Sequence, residues 1–93
     1  MSLTIIFGMK LDLTNYERMM GMPLTFASIG QLNKIVKIKG QDKVIKFLES
    51  LGFVEGADVT IVSHMSGNVI VNIKDSRVAI SKEMANKIMV EGV

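Results

Sequence analysis

The clearest pattern along the chain begins just before Phe47, where apolar residues recur at the spacing of one helical face. The spacing i, i+3, i+4 and i+7 is occupied by Val44, Phe47, Leu48 and Leu51. The pattern predicts a helix from Asp42, its expected N-cap, to about Leu51, with this apolar face buried.

Two glycines follow the predicted helix and give way to a strand. Gly52 stands where a helix ends by entering the left-handed region, and Gly56 marks a second tight turn. From Ala57 to Ser63 the residues alternate between apolar and polar, with Val59 and Ile61 on one face, which predicts a half-buried strand. The segment from 52 to 56 is called the elbow below.

Alternation elsewhere predicts further short strands separated by tight turns. These strands are Pro23–Phe26, Lys34–Lys39 with Val36 and Ile38 inward, Val69–Ile73, Arg77–Ile80 and Met89–Glu91. Turns are expected at 28–31, at 65–68 and at Asp75-Ser76. Ser81 is expected to cap a short helix that carries Met84, Ala85 and Ile88 on one face. The order predicts a mostly β, small α+β fold: an antiparallel barrel of five to six short strands with one inserted helix and a short C-terminal helix.

Composition narrows the function classes. The chain has 93 residues, which fits one domain, and it has no Cys, so disulfides and thiolate metal sites are excluded. A close-packed small barrel offers no ligand cavity, so function is expected on its outer surface and loops. No segment reads as a membrane span or a signal peptide, and we expect a cytoplasmic protein.

Charge is unevenly distributed although the net charge is only +2. Between residues 33 and 46 there is one acid, Asp42, against Lys34, Lys37, Lys39, Lys43 and Lys46. Between residues 47 and 63 there are only acids, Glu49, Glu55 and Asp58. One basic and one acidic flank are therefore expected. Nucleic-acid binding usually sets aromatic residues among the basic ones, and only Phe47 is near, so the basic run alone argues weakly for it.

The residues carry no recognisable catalytic arrangement. His64 is the only histidine and cannot close a zinc site without cysteines or paired carboxylates. Glu55 and Asp58 flank Gly56, but an acid/base pair would need an enclosing pocket to separate their pKa values. No phosphate-binding glycine loop is present. We predict that the protein is not an enzyme and that it has no metal site or cofactor of its own.

Residues 1–21 differ from the remainder, so we divide the chain into an N-terminal extension, 1–21, and a domain, 22–93. Leu3–Phe7 and Met9–Leu13 are apolar enough to pair as strands around Gly8. One hypothesis is that Met22 is the natural start and that residues 1–21 come from an overlong gene prediction. The alternative is a real extension that packs on the domain or forms a homo-oligomer by pairing with a second subunit.

The segment Leu48-x-x-Leu51-Gly52-Phe53-x-x-Gly56-x-x-Val59-x-Ile61 resembles the ferrous iron transport protein A family, FeoA. The resemblance extends from about Met22 to Val90. It includes the opening Met22-Pro23-Leu24, Gly67 with the strand Val69–Lys74, Arg77–Ile80, and the tail Met84-Ala85-Asn86-Lys87-Ile88. The structural motif residues carried over are Leu48, Leu51, Gly52, Gly56, Val59, Ile61, Ala85 and Ile88.

This resemblance implies an SH3-like barrel with a helical insertion. It implies an accessory protein of ferrous iron transport and iron homeostasis that contacts the cytosolic GTP-binding part of the permease FeoB. Transition metal ion binding, of Fe²⁺, would then arise only through the transport partner. The same fold occurs as a domain of iron-dependent repressors, so a nucleic-acid-binding or repressor-associated module is the alternative.

Candidate partner-binding residues lie on the elbow and on the basic run: Phe53, Glu55, Lys37, Lys39, Lys43 and Lys46. Phe53 either protrudes as an anchor for a partner or folds back against the helix end. Glu55 stands where many family members have Pro, and Ser63–Asn68 replaces a loop that often contains Pro. These departures are typical of a divergent FeoA-like branch whose partner surface differs.

Overall fold

The computed structural model describes residues 21–93, and the hypotheses on the extension fall almost wholly outside them. The strands in this part are β1 Met22–Pro23, β2 Leu32–Ile38, β3 Asp58–Met65, β4 Asn68–Ile73, β5 Ser76–Ser81 and β6 Ile88–Gly92. The helices are α1 Asp42–Ser50 and α2 Lys82–Ala85, and Leu24–Phe26 forms a 3-10 turn.

All six described strands belong to one antiparallel sheet in the order β1-β6-β2-β3-β4-β5. β3, β4 and β5 are joined by tight hairpins, whereas α1 and the elbow connect β2 to β3. The mostly β, small α+β class predicted from the sequence is confirmed. β3 and β4 alternate between an inner face that fills the core and an outer face toward solvent, whereas β6 begins with three consecutive buried residues, Ile88, Met89 and Val90.

One apolar core joins the sheet to both helices. Val69, Val71 and Ile73 of β4 all point inward as predicted and are at most 1% exposed. The motif positions Leu48, Val59, Ile61, Ala85 and Ile88 are buried as well. Ser81 caps α2 as predicted, because its Oγ accepts a hydrogen bond of 3.1 Å from the backbone N–H of Met84.

Two predictions for β2 and β1 are wrong. Val36 is not an inward residue, because β2 contains a bulge there: Ile35 pairs with Val90 and Lys37 with Met89, which leaves Val36 as an extra residue. The bulge lets Ile35 and Ile38 both point inward. The predicted entry strand Pro23–Phe26 is reduced to its first residues, because the chain turns at Leu24 and Ala27 N–H bonds to Leu24 O at 2.9 Å.

Two turn assignments also shift by one residue. Gln41 is the N-cap of α1, and Asp42 is its first helical residue. A carboxylate at that position still interacts favourably with the positive end of the helix dipole. The turn between β4 and β5 is Lys74-Asp75, not Asp75-Ser76, and Lys74 adopts a φ of 55° there.

Candidate partner-binding surfaces

The helix α1 ends in a motif that fixes the elbow. Gly52 has a φ of +108°, its N–H bonds to Glu49 O at 3.0 Å, and Phe53 N–H bonds to Leu48 O at 3.0 Å. This pair of bonds is the Schellman arrangement, in which an apolar contact between the residue after the glycine and the last turn closes the helix end. Leu48 and Phe53 occupy those two positions, and both are 0% exposed.

Phe53 therefore does not protrude. Of the two alternatives drawn from the sequence, its burial contradicts the exposed anchor and agrees with folding back against the helix end. The physical reason is the left-handed Gly52, which reverses the chain so that Phe53 turns inward against the last turn of α1. Any effect of Phe53 on a partner is consequently indirect, through the shape of the elbow.

Phe47 differs from Phe53, because it is half-exposed although the sequence predicted it to be buried. The sequence pattern predicted it as a member of the buried stripe, but its side chain is 47% exposed. At 100° per residue the buried side of α1 is centred on Leu48 and extends to Val44 and Ile45, which pack against the core. Phe47 falls at the edge of that arc, so its ring is half-exposed one helical turn after Lys43.

The second turn of the elbow is tied to β2. Ala57 N–H bonds to Val54 O at 3.0 Å, and Gly56, with a φ of +86°, bonds through its N–H to Ile35 O at 2.8 Å. A four-residue turn with a positive φ at its third residue fits type II. Glu55 is then the second residue, with an exposed side chain at the tip of the elbow.

Lys34 joins the predicted basic flank to the acidic one. Its Nζ lies 3.0 Å from Asp58 Oδ1 and 3.3 Å from Gly56 O. Lys34 and Asp58 are also cross-strand partners in the β2–β3 ladder. This exposed ion pair, with the bond to Gly56 O, joins the end of the elbow to β2.

A shallow cleft of about 320 Å³ lies beside the elbow on the outer face of the sheet. It is lined by Leu32, Ala57, Asp58, Thr60, Asn72, Lys74 and Asp75. Leu32 is 45% exposed there, and it pairs with Thr60, which in turn pairs with Asn72. Sequence reasoning missed this cleft, although Leu32 stands at an outward register on the same face as Lys34, a position that favours polar residues.

The other lysines of the predicted basic flank lie at the opposite end of β2 and on α1. Lys37 and Lys39 lie on either side of the inward Ile38 and are exposed, as are Lys43 and Lys46 of α1. Lys87 joins them, since Lys39 N–H bonds to Lys87 O at 2.7 Å. We call these five lysines, at 37, 39, 43, 46 and 87, the lysine face. Sequence reasoning missed Lys87 because only the β2–β6 pairing brings it to this group.

Residues 21–93 contain no group of three or more His, Cys, Asp or Glu residues placed to hold a metal ion. His64 is exposed near the end of β3. Within the same residues, no helix is both long enough and apolar enough to cross a membrane.

The chain matches the model of the FeoA domain over residues 22–92. It is 35% identical over 69 residues to a candidate Fe(2+) transport protein A of Methanocaldococcus jannaschii, covering 74% of this chain and 84% of that one. The alignment therefore spans most of both proteins.

Solved structures agree with this match. A crystal structure of an iron uptake regulatory protein, FeoA, has a TM-score of 0.72 and 30% identity, covering 77% of this chain and 97% of that one. FeoA of Stenotrophomonas maltophilia, described as an SH3 domain protein and crystallised with zinc, has a TM-score of 0.67 and 21% identity, covering 76% and 91%. The T. acidophilum protein IdeR has a TM-score of 0.69 and 25% identity, covering 77% of this chain and 34% of that one.

The described residues thus have the SH3-like fold that the sequence resemblance implied. The family motif lies where it was expected, at the end of α1, in the elbow and in β3. The chain is a member of the FeoA family, whose role is in ferrous iron transport.

Proposed function

We propose that this protein is a non-enzymatic accessory and regulatory factor of ferrous iron uptake. It acts by protein–protein contact with the cytosolic GTP-binding part of a FeoB-type permease, and it is located in the cytoplasm. The observation that carries this proposal is the FeoA match over nearly the whole described domain, together with the relationship to a candidate Fe(2+) transport protein. Iron is the cargo of the partner, and the protein needs no cofactor for this role.

The cleft beside the elbow is the best candidate for the contact with the permease. It combines an exposed apolar residue, Leu32, with the carboxylate of Asp75 and the ammonium group of Lys74 on one concave surface. An apolar centre with polar groups around it is the usual arrangement of a protein-binding patch. Glu55 at the tip of the elbow lies two residues before Ala57, which lines the cleft, and extends this surface.

The contact is tested by capture from membranes of the source organism. The full chain serves as bait, with bound proteins identified by mass spectrometry. We expect a ferrous iron permease to be recovered, and we expect Leu32→Asp to abolish recovery because it places a charge in the apolar centre. The matched control is Met65→Asp, since Met65 is an apolar residue of similar exposure, 58% against 45%, at the far end of β3.

Each result decides a different point. If the full chain recovers no permease, the proposed contact is wrong. If both Asp variants recover it as well as the unchanged chain, the cleft is not the contact surface. A bait that begins at Met22 shows whether residues 1–21 take part.

The alternative, a nucleic-acid-binding or repressor-associated module, stays a prediction. It would use the lysine face, and the same capture would then yield nucleic acid in a salt-sensitive manner, because phosphate contacts release counterions.

A further inference from the structure

The lysine face lies at the corner between β2, α1 and β6, and the exposed Asp42 and Glu49 of α1 lie one helical turn from Lys46, so the corner carries a formal charge of +3, five lysines minus two acids. Lys39 and Lys87 are linked through their backbones at 2.7 Å, and a Cβ built on Gly40 would lie 3.4 Å from Lys87 Cδ. Lys43 and Lys46 follow in the first turns of α1. The one ion pair among residues 21–93 joins Lys34 to Asp58, so none of these five lysines has an acidic partner in that part of the chain.

An exposed aromatic ring borders this positive surface. Phe47 is one helical turn after Lys43 and directly follows Lys46, and it is 47% exposed. Burying such a ring in an apolar environment is favourable. The helix therefore presents cations beside an apolar side chain, with Ser50 on the same outward side.

This surface is formed by the exposed side of a helix and the end of a strand. The cleft described above lies at the other end of β2, about 20 Å away at roughly 3.3 Å per residue. A groove for an extended strand of nucleic acid, with several stacking rings, is not formed by these residues. The apolar face of α1 is used by the core, so what remains for a partner is a net positive corner with one exposed ring, and anionic lipid surfaces attract such basic clusters.

We infer that the lysine face, with Phe47, docks on a membrane surface that contains anionic lipids. The ammonium groups contact the lipid phosphates while their aliphatic stems and the Phe47 ring enter the headgroup layer. Each lysine near such a surface strengthens binding by about five-fold, and Asp42 and Glu49 offset part of this gain, so the affinity is modest and reversible. This inference does not depend on the permease, because the lipids themselves are the partner.

The test is sedimentation of the full chain with lipid vesicles that contain no protein. One set is phosphatidylcholine alone, and the other contains about a third phosphatidylglycerol. We expect binding to the anionic vesicles only, falling as the salt concentration rises from about 0.05 to 0.5 M and the Debye length shortens. The double variant Lys43→Glu/Lys46→Glu should weaken binding by about 25-fold or more, at about five-fold for each lysine. Phe47→Ala should weaken it several-fold.

Matched controls are available on other surfaces. Lys82→Glu reverses an exposed lysine on α2, and Met65→Ala removes an exposed apolar side chain from the β3 hairpin. Both should bind anionic vesicles within about two-fold of the unchanged chain, which is less than the effect of one lysine.

Three results would overturn the inference: no sedimentation at low salt, equal sedimentation with neutral vesicles, or equal losses in the test and control variants. Capture of a short RNA with no binding to vesicles would also overturn it. Because no permease is present in the vesicles, a failure here leaves the permease contact untouched, and a failed capture leaves this result untouched.

Discussion

Replacing Phe53 with Ala removes the side chain that joins the end of α1 to the core. The ring is 0% exposed, and it belongs to the same buried cluster as Leu48 and Ile73. Its backbone N–H also bonds to Leu48 O at 3.0 Å, so the ring and the helix end are fixed together. The substitution therefore leaves a cavity at the point where α1 meets the sheet.

The expected loss is large for a domain of this size. A buried Phe→Ala change lowers the free energy of unfolding by about 3–5 kcal/mol, through lost burial and the cavity that remains. In a domain of 60–100 residues each kcal/mol lowers the melting temperature by about 4–8 °C. We therefore expect a decrease of about 12 °C or more, which approaches complete unfolding if the domain is only marginally stable.

Thermal unfolding followed by circular dichroism measures this effect. Phe47→Ala is the matched control, because it removes the same ring from a half-exposed position in α1; it should lower the free energy of unfolding by about 1 kcal/mol. Phe53→Leu, expected to cost about 1–2 kcal/mol, keeps the comparison measurable if the Ala variant does not fold. Equal melting temperatures for Phe53→Ala and Phe47→Ala would refute the burial argument.

The other predictions concern the elbow and β2, and all are measured by urea unfolding. Gly52→Ala should cost about 1–2 kcal/mol, since its φ is +108° and the new Cβ meets Ile73 Cγ1 at 3.4 Å; no loss would mean that the helix end can rearrange. Glu55→Pro should raise the free energy of unfolding by about 0.4–1 kcal/mol, because Pro suits the second residue of a type II turn. The Glu55 N–H has no hydrogen bond within residues 21–93, so Pro removes none; a decrease in stability would argue against this turn type. Asn33→Leu should leave the free energy of unfolding unchanged or raise it by about 1 kcal/mol. The change removes a buried Oδ1 that has no hydrogen-bond partner, and it loses only the bond from Nδ2 to Gln31 O; a clear decrease in stability would mean that the oxygen is satisfied.

Much of the fold followed from local patterns. The alternation of Val69, Val71 and Ile73 and the cap at Ser81 act within one strand or one turn, so the sequence determines them directly. The glycine at position 52 also predicted the end of α1, because few other residues adopt its conformation at low cost.

The errors came from contacts between distant segments. The bulge at Val36 depends on the register with β6, which lies more than fifty residues away in the chain. Phe47 and Phe53 were misjudged or left open because their burial depends on how α1 is rotated against the sheet. The cleft around Leu32 and the addition of Lys87 to the lysine face likewise require the tertiary arrangement. Periodicity within one segment carries no information on any of these.

The extra residue in β2 also affects the geometry of the whole domain. A bulge bends its strand and increases the local twist, and Val36 lies between the cleft end of β2 and its lysine end. Without Val36, Ile35 and Ile38 would be two positions apart and would both still point inward by simple alternation, so the residue is dispensable for filling the core. What the extra residue changes is the course of the strand: the bend and added twist fall between the cleft and the lysine face, so a deletion of Val36 should alter the angle between these two surfaces while leaving the core filled.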